Sequence, residues 1–224
     1  MNLRLPAWTL PALLAMTAAP AGAQAPRDQH EAHRLHGDPA KYIAALEDPK
    51  RDAYQKPQEV MTALDVKPGE VIADIGAGSG YFAIRLAKHV GNAGRVYAVD
   101  ISPDMIRHLH ERLRDAGLLN VLPILAKPDD PFLPEAVDRF VIVDVWHHID
   151  DQAGYLAKMK ARLKPGGQIV MIDFHKKDLP VGPPVAMKIA REDLIRQMEE
   201  HGFSVAKEHT FLPYQYFLVF EVAR

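Results

Sequence analysis

The sequence predicts an α/β fold built on a mostly parallel sheet with helices on both faces, and three observations predict it. First, the short apolar run Val71–Asp74 leads into Ile75-Gly76-Ala77-Gly78-Ser79-Gly80, and an apolar helix follows from about Gly80 to Val90. Strand, glycine turn and helix in that order open a βαβ unit. Second, Arg95–Asp100 reads as another strand, ending in a carboxylate where such units grip a ribose diol. Third, Val137–Val145 reads as an apolar, β-branched strand through Phe140–Val143, as a strand buried on both faces should be.

The glycines have separate tasks. Gly76 and Gly78 let the chain turn sharply and let a ligand lie against the main chain, and Gly80 lets the helix pack close to the strand. Their spacing, G-x-G-x-G, is tighter than the dinucleotide fingerprint G-x-G-x-x-G, which leaves room for a pyrophosphate at the helix start. A ligand with a ribose and no phosphate fits better. Asp74 points the same way, because a carboxylate before the turn repels a diphosphate and suits a cationic ligand. S-adenosylmethionine offers a ribose, an adenine, an ammonium and a sulfonium.

Taken in order, residues 1–23 have the pattern of a cleavable secretory signal: Arg4, the apolar run Ala7–Ala19, and the small-residue site Ala21-Gly22-Ala23. The run is too short to span a bilayer, and no cysteine follows to carry a lipid anchor. This predicts a periplasmic or secreted protein with no stable membrane anchor; if the leader is not a signal, the chain is cytoplasmic. Residues 24–56 form a polar N-terminal segment. His30, His33 and His36 fall on one helical face, either as metal ligands or as a solvated leader; without a strong acid or cysteine to complete a set, no metal is assigned. Lys41–Leu46 reads as a helical turn and Asp48–Pro57 as an extended polar stretch. The main domain, residues 57–224, opens on a short helix, Pro57–Leu64, with proline at its start.

After Asp100, Ser102-Pro103-Asp104 supplies a cap, an N1 proline and a first-turn acid for a helix to Ala116 that stops at Gly117. Asn120–Leu125 is a third strand. The fourth strand ends in Asp144-Val145-Trp146-His147-His148-Ile149, at the sheet edge where open α/β folds bind ligands. An amphipathic helix over Asp151–Leu163 closes at Lys164-Pro165-Gly166-Gly167, and Gln168–Phe174 is a fifth strand. The Pro/Gly-rich His175–Met187 loop lies over the expected mouth. A helix, Ile189–His201, and two alternating strands, Phe203–His209 and Tyr214–Val222, complete the chain.

Composition excludes some chemistries. At 224 residues the chain is long enough for a full core. It has no cysteine, which removes disulfides, thiolate metal sites and thiol nucleophiles. A formal net charge of −2, with no basic run, gives no nucleic-acid footprint.

Val71–Phe82 together with Val96–Asp100 resembles the class I S-adenosylmethionine-dependent methyltransferases, and looks closest to small bacterial members near the ubiquinone/menaquinone methyltransferase group. The resemblance covers roughly Tyr54 to Val222. It implies a Rossmann-like, seven-stranded sheet with an antiparallel C-terminal hairpin at its edge, S-adenosylmethionine as cofactor, and a small-molecule acceptor. The implied cofactor contacts are Asp74, Gly76, Gly78, Gly80, Asp100 and Ile101. Tyr54 either covers the methionine end or packs the first helix. Asp144 contacts the methionine moiety or satisfies a strand-end amide. The family commonly places an acid on the adenine after the third strand; register puts Lys127 there, leaving Asp129 for the role. If the acceptor is a hydroxyl, His147 or His148 is the candidate general base. Two alternatives share parts of this pattern: an NAD-dependent oxidoreductase, which lacks the spaced third glycine, and a non-catalytic S-adenosylmethionine-binding protein.

Overall fold

The computed structural model describes residues 38–223. The leader at 1–23 and the histidines at 30, 33 and 36 lie outside the described residues. Seven strands form one sheet: β1 (Val71–Ile75), β2 (Arg95–Asp100), β3 (Val121–Leu125), β4 (Val137–Val143), β5 (Leu163–Phe174), β6 (Phe203–His209) and β7 (Gln215–Val222). Their spatial order is β3-β2-β1-β4-β5-β7-β6. The pairs β3–β2, β2–β1, β1–β4 and β4–β5 are parallel, and β7 runs antiparallel to both neighbours. The closing hairpin sits at the sheet edge with the last strand inserted between β5 and β6. The order reverses between β1 and β4, so the crevice beyond their carboxyl ends is the switch point at which such sheets bind ligands.

Among the described residues seven helices accompany the sheet: α1 (Pro39–Leu46), α2 (Asp52–Gln55), α3 (Pro57–Leu64), α4 (Ala83–Val90), α5 (Pro103–Asp115), α6 (Gln152–Ala161) and α7 (Arg191–Glu200). Successive strand residues point to opposite faces, and the two cores follow that alternation. Ile72, Val96 and Val141 face Val60, Leu86 and Leu109 of α3, α4 and α5. Ala73, Phe140 and Met171 face Leu156 and Leu194 of α6 and α7.

Several boundaries differ from the sequence reading. Asp48–Pro57 is not extended. Asp48 accepts the Lys50 N–H at 2.9 Å and Pro49 sits at the first helical position, so a 3-10 turn (Pro49–Arg51) and α2 form there. Lys56, in the left-handed region at φ +43°, then separates α2 from α3. Residues 80–82 are turn, and α4 begins at Ala83. β4 ends at Val143, because Asp144 turns the chain at φ +58°. β5 begins five residues earlier than its apolar run, since Leu163 pairs with Val137 across an irregular register.

Candidate functional site

A crevice of about 450 Å³ opens at the carboxyl ends of β1, β2 and β4, a size within the range of small-ligand sites. Its floor is the glycine turn. The Gly76 and Ala77 N–H groups both donate to the Val99 carbonyl, at 2.8 and 3.0 Å, which folds the turn back onto β2. Gly76 has φ +69°, and a Cβ there would lie 2.3 Å from Val145 Cγ2; Gly78 has φ +54°. Only glycine combines that backbone with so close an approach.

Asp100, at the end of β2, lines the crevice and is held by two backbone donors. Gly78 N–H reaches Oδ2 at 2.8 Å and Ser102 N–H reaches Oδ1 at 2.9 Å. Each carboxylate oxygen accepts more than one hydrogen bond, so the acid is fixed in orientation and can still accept from a diol. Ile101 and Ser102 follow it along the wall, with Met105 of α5, Ala126, Lys127 and Pro128 beyond β3, and Tyr155 of α6. The slot is apolar and flat-sided with one acid at its edge.

Helix α1 covers the opening. Pro39, Tyr42 and Leu46 line the crevice, and Leu46 Cδ1 would stand 3.0 Å from a Cβ at Gly78. Glu47, which follows α1, ties it down through His108 at 2.6 Å and Arg112 at 3.0 Å, both on α5. Arg112 also donates to the Ser79 carbonyl at 2.6 Å, joining the cover to the glycine turn. Arg51 donates to the Leu46 carbonyl and places its guanidinium 4.6 Å from the Tyr81 ring centre.

On the β4 side the wall is made of side chains. Asp144 accepts from Gln55 Nε2 at 2.6 Å and from Gln215 Nε2 at 2.8 Å. These amides come from α2 and from the start of β7, so one carboxylate ties together three distant parts of the chain. Burial, reinforced by the charge of Asp173, pushes the Asp144 carboxyl up to about 7. His148 is exposed and lines the crevice, and its ring centre is 4.2 Å from that of His147. The His147 side chain is 2 % exposed, and its Nδ1 lies 2.9 Å from Oδ2 of Asp173.

The sequence candidates therefore divide. Gly76, Gly78, Asp100, Ile101, Asp144 and His148 line the crevice. Gly80 supports the turn from beneath, where an added Cβ would meet Leu109 Cδ1 at 2.5 Å. Asp74 is buried below the turn; burial pushes its carboxyl up to about 8 against the Ala83 N–H, and its Oδ2 has no hydrogen-bond partner among the described residues. Tyr54 packs against Phe174 and Tyr214, with ring centres 6.3 and 6.2 Å away, and is not among the lining residues. Asp129 is exposed and paired with Lys158 at 3.0 Å, so it lies off the crevice, whose wall carries Lys127 instead. The two-residue Lys127–Asp130 bridge turns Asp129 outward.

Sequence reasoning missed Tyr42, Leu46, Arg51, Met105 and Tyr155. The alternating apolar faces of α5 and α6 carry a signal for the last two. Nothing local marks α1 as a cover, because its place depends on Glu47 meeting α5.

A family described as a methyltransferase domain matches residues 72–167, which carry the glycine turn, Asp100 and the β4 end. The ubiquinone/menaquinone biosynthesis C-methyltransferase UbiE of Bordetella avium is 32% identical over 119 residues, 53% of this chain and 46% of that protein. A solved S-adenosylmethionine-dependent methyltransferase from Aquifex aeolicus superposes with TM-score 0.77 at 26% identity, covering 83% of this chain and 99% of that one. Residues 72–167 carry a methyltransferase domain, and the chain shares the fold of S-adenosylmethionine-dependent methyltransferases.

The match spans about half the length of the curated relatives. Magnesium protoporphyrin IX methyltransferase from Synechocystis PCC 6803, solved with bound SAH, shares the fold of this chain at 17% identity and TM-score 0.64, covering 88% of this chain and 100% of that one. No helix among the described residues is long and apolar enough to cross a membrane.

Proposed function

We propose that this methyltransferase binds S-adenosylmethionine in the β1–β2–β4 crevice and transfers its methyl group to a small molecule. The observation that carries this reading is the Asp100 carboxylate, clamped by Gly78 N–H and Ser102 N–H at the rim of a turn too tight for a diphosphate. Asp100 would hold the ribose hydroxyls, and the slot between Ile101 and Ala126 would hold the adenine. The glycine turn lets the cationic end of the ligand lie close against the main chain.

When bound, S-adenosylmethionine supplies a methyl group on a good sulfonium leaving group. The protein's main task is therefore alignment, which can be worth on the order of 7–11 kcal/mol. The α1 cover excludes water, and the Asp144–Gln55–Gln215 clamp fixes the wall facing the sulfonium. The relatives named for ubiquinone and menaquinone biosynthesis support a small organic acceptor rather than a macromolecule.

The test is turnover. Protein incubated with methyl-labelled S-adenosylmethionine and a low-molecular-weight cell extract should release S-adenosylhomocysteine and label one soluble product. Binding of the cofactor with no label in any extract would leave a binding protein in place of an enzyme. The leader pattern at residues 1–23 supports a periplasmic or secreted location, which fractionation of the native protein checks.

A further inference from the structure

Behind the crevice lies a group of buried ionisable side chains that cofactor binding does not use. Asp173, at the end of β5, is 1 % exposed and accepts its neighbour's N–H, from Phe174, at 2.8 Å. Both of its oxygens also face Nδ1 of His147, at 3.1 and 2.9 Å. A carboxylate only accepts, so the proton of that bond sits on the His147 nitrogen. The groups that face His147 are Asp173 from β5, Asp144 and His148 from the turn after β4, and Lys188 from the segment before α7. Lys188 is itself 3 % exposed, with its ammonium on the Lys177 carbonyl at 2.8 Å. An ion pair with both members removed from water costs desolvation energy, so its survival beside a ligand crevice calls for a task.

Resting on the proposed activity, we infer that Asp173 is a positioning residue: it fixes His147, and the His147 ring, inclined at 43° to its neighbour with centres 4.2 Å apart, holds His148 toward the crevice as the proton acceptor for a protic methyl acceptor, a hydroxyl or an acidic enol. The step balances. The acceptor oxygen bonds to the methyl carbon as the carbon–sulfur bond breaks, the sulfur leaves neutral, and the acceptor's proton passes to a ring nitrogen of His148 and then to crevice water. Thioether or tertiary amine acceptors need no such group. The arrangement also separates the two histidines, because His147 is locked in an ion pair while His148 meets the ligand. Burial alone pushes His147 down, but Asp173 holds it above its ordinary value.

Two measurements test this. The first is nitrogen-15 NMR of both histidine rings in the full chain, wild type against Asp173→Asn, with Asp173→Glu as the rescue. The inference expects His147 to carry its Nδ1 proton and to titrate above a free histidine. It expects Asp173→Asn to lower that midpoint and move the His148 signals, and Asp173→Glu to restore them in part, with calorimetric S-adenosylmethionine affinity unchanged throughout. His148 signals that ignore Asp173→Asn would overturn it, as would a loss of cofactor affinity in the same variant. The second measurement is labelling of the extract product. His148→Gln should lower its rate roughly 10²- to 10⁴-fold, the span of general-base contributions. Asp173→Asn should lower the rate with a shifted pH profile and an unchanged half-saturating S-adenosylmethionine concentration. Equal rates in wild type and His148→Gln would refute the inference and leave the transferase intact. No label even in wild type would count against the activity itself, while the NMR arm still decides the role of Asp173.

Discussion

On the β1–β2 side of the crevice the contacts are made by backbone: the glycine turn, its N–H groups, and one acid that two of those groups orient. On the β4–β5 side the wall is braced from behind by side chains brought from far apart, with Gln55, Asp144, Asp173 and Gln215 contributed by four separate elements. The first side is a property of some thirty consecutive residues. The second exists only once β4, β5 and β7 lie together. A half-site built from local backbone tolerates little change and keeps its ligand. A half-site built from side chains can be rewritten one residue at a time, as a family with many acceptors requires.

The sharpest way to break the backbone half is Gly76→Val. It forces a β-branched residue to φ +69° against Val145 Cγ2, 2.3 Å from the new Cβ. Left-handed strain of about 1–2 kcal/mol adds to overpacking of about 1–3 kcal/mol. Urea unfolding should show a loss of about 2–5 kcal/mol, with cofactor binding abolished. Next in size is Asp100→Ala, which removes a charged hydrogen-bond acceptor worth about 1.5–3 kcal/mol. Calorimetry should find S-adenosylmethionine bound roughly ten- to hundred-fold more weakly in a variant that stays folded.

The side-chain half should show itself through pH. The Asp144 carboxyl is raised by burial to about 7 in the folded protein, against an ordinary value near 3.8. The folded state therefore holds a proton that the unfolded chain has released between those values. Its contribution to stability is full below the ordinary value and is lost as pH rises through about 7. Asp74, raised to about 8, and His147, also raised, act in the same direction. Asp144→Asn should flatten the fall in unfolding free energy between pH 5 and 7 by up to about 1.4 kcal/mol per pH unit, the slope for one proton. An unchanged slope would show that Asp144 stays ionised. The smallest expected effect is Asp129→Ala. An exposed pair such as Asp129–Lys158 contributes about 0–1 kcal/mol, so stability and cofactor affinity should both stay close to wild type. A tenfold loss of affinity there would return Asp129 to the adenine.

The same contrast explains what was legible in the sequence. Val71–Asp74, the three glycines and Asp100 are placed by spacing alone, because neighbours in the chain remain neighbours in the fold. The seven strands and the antiparallel last strand come from the family resemblance and match the sheet observed. The sequence leaves Tyr54 open between ligand and packing, and it assigns Asp129 by its distance along the chain. In the fold, Tyr54 turns to Phe174 and Tyr214, and a tight bridge aims Asp129 at Lys158. Tyr42 and Leu46 were missed for the complementary reason. Their helix covers the crevice through an ion pair made by Glu47 with α5, 61 positions away at His108. No local pattern records such a pairing. His147 and His148 are equivalent in the sequence, and only the Asp173 contact and the crevice wall tell them apart.

The most direct test of the central claim is a calorimetric titration of the wild-type protein with S-adenosylhomocysteine and, separately, with NADH. A phosphate-free crevice closed by Asp100 predicts saturable one-site binding of S-adenosylhomocysteine and no heat from NADH. Saturable NADH binding with none for S-adenosylhomocysteine would contradict the account.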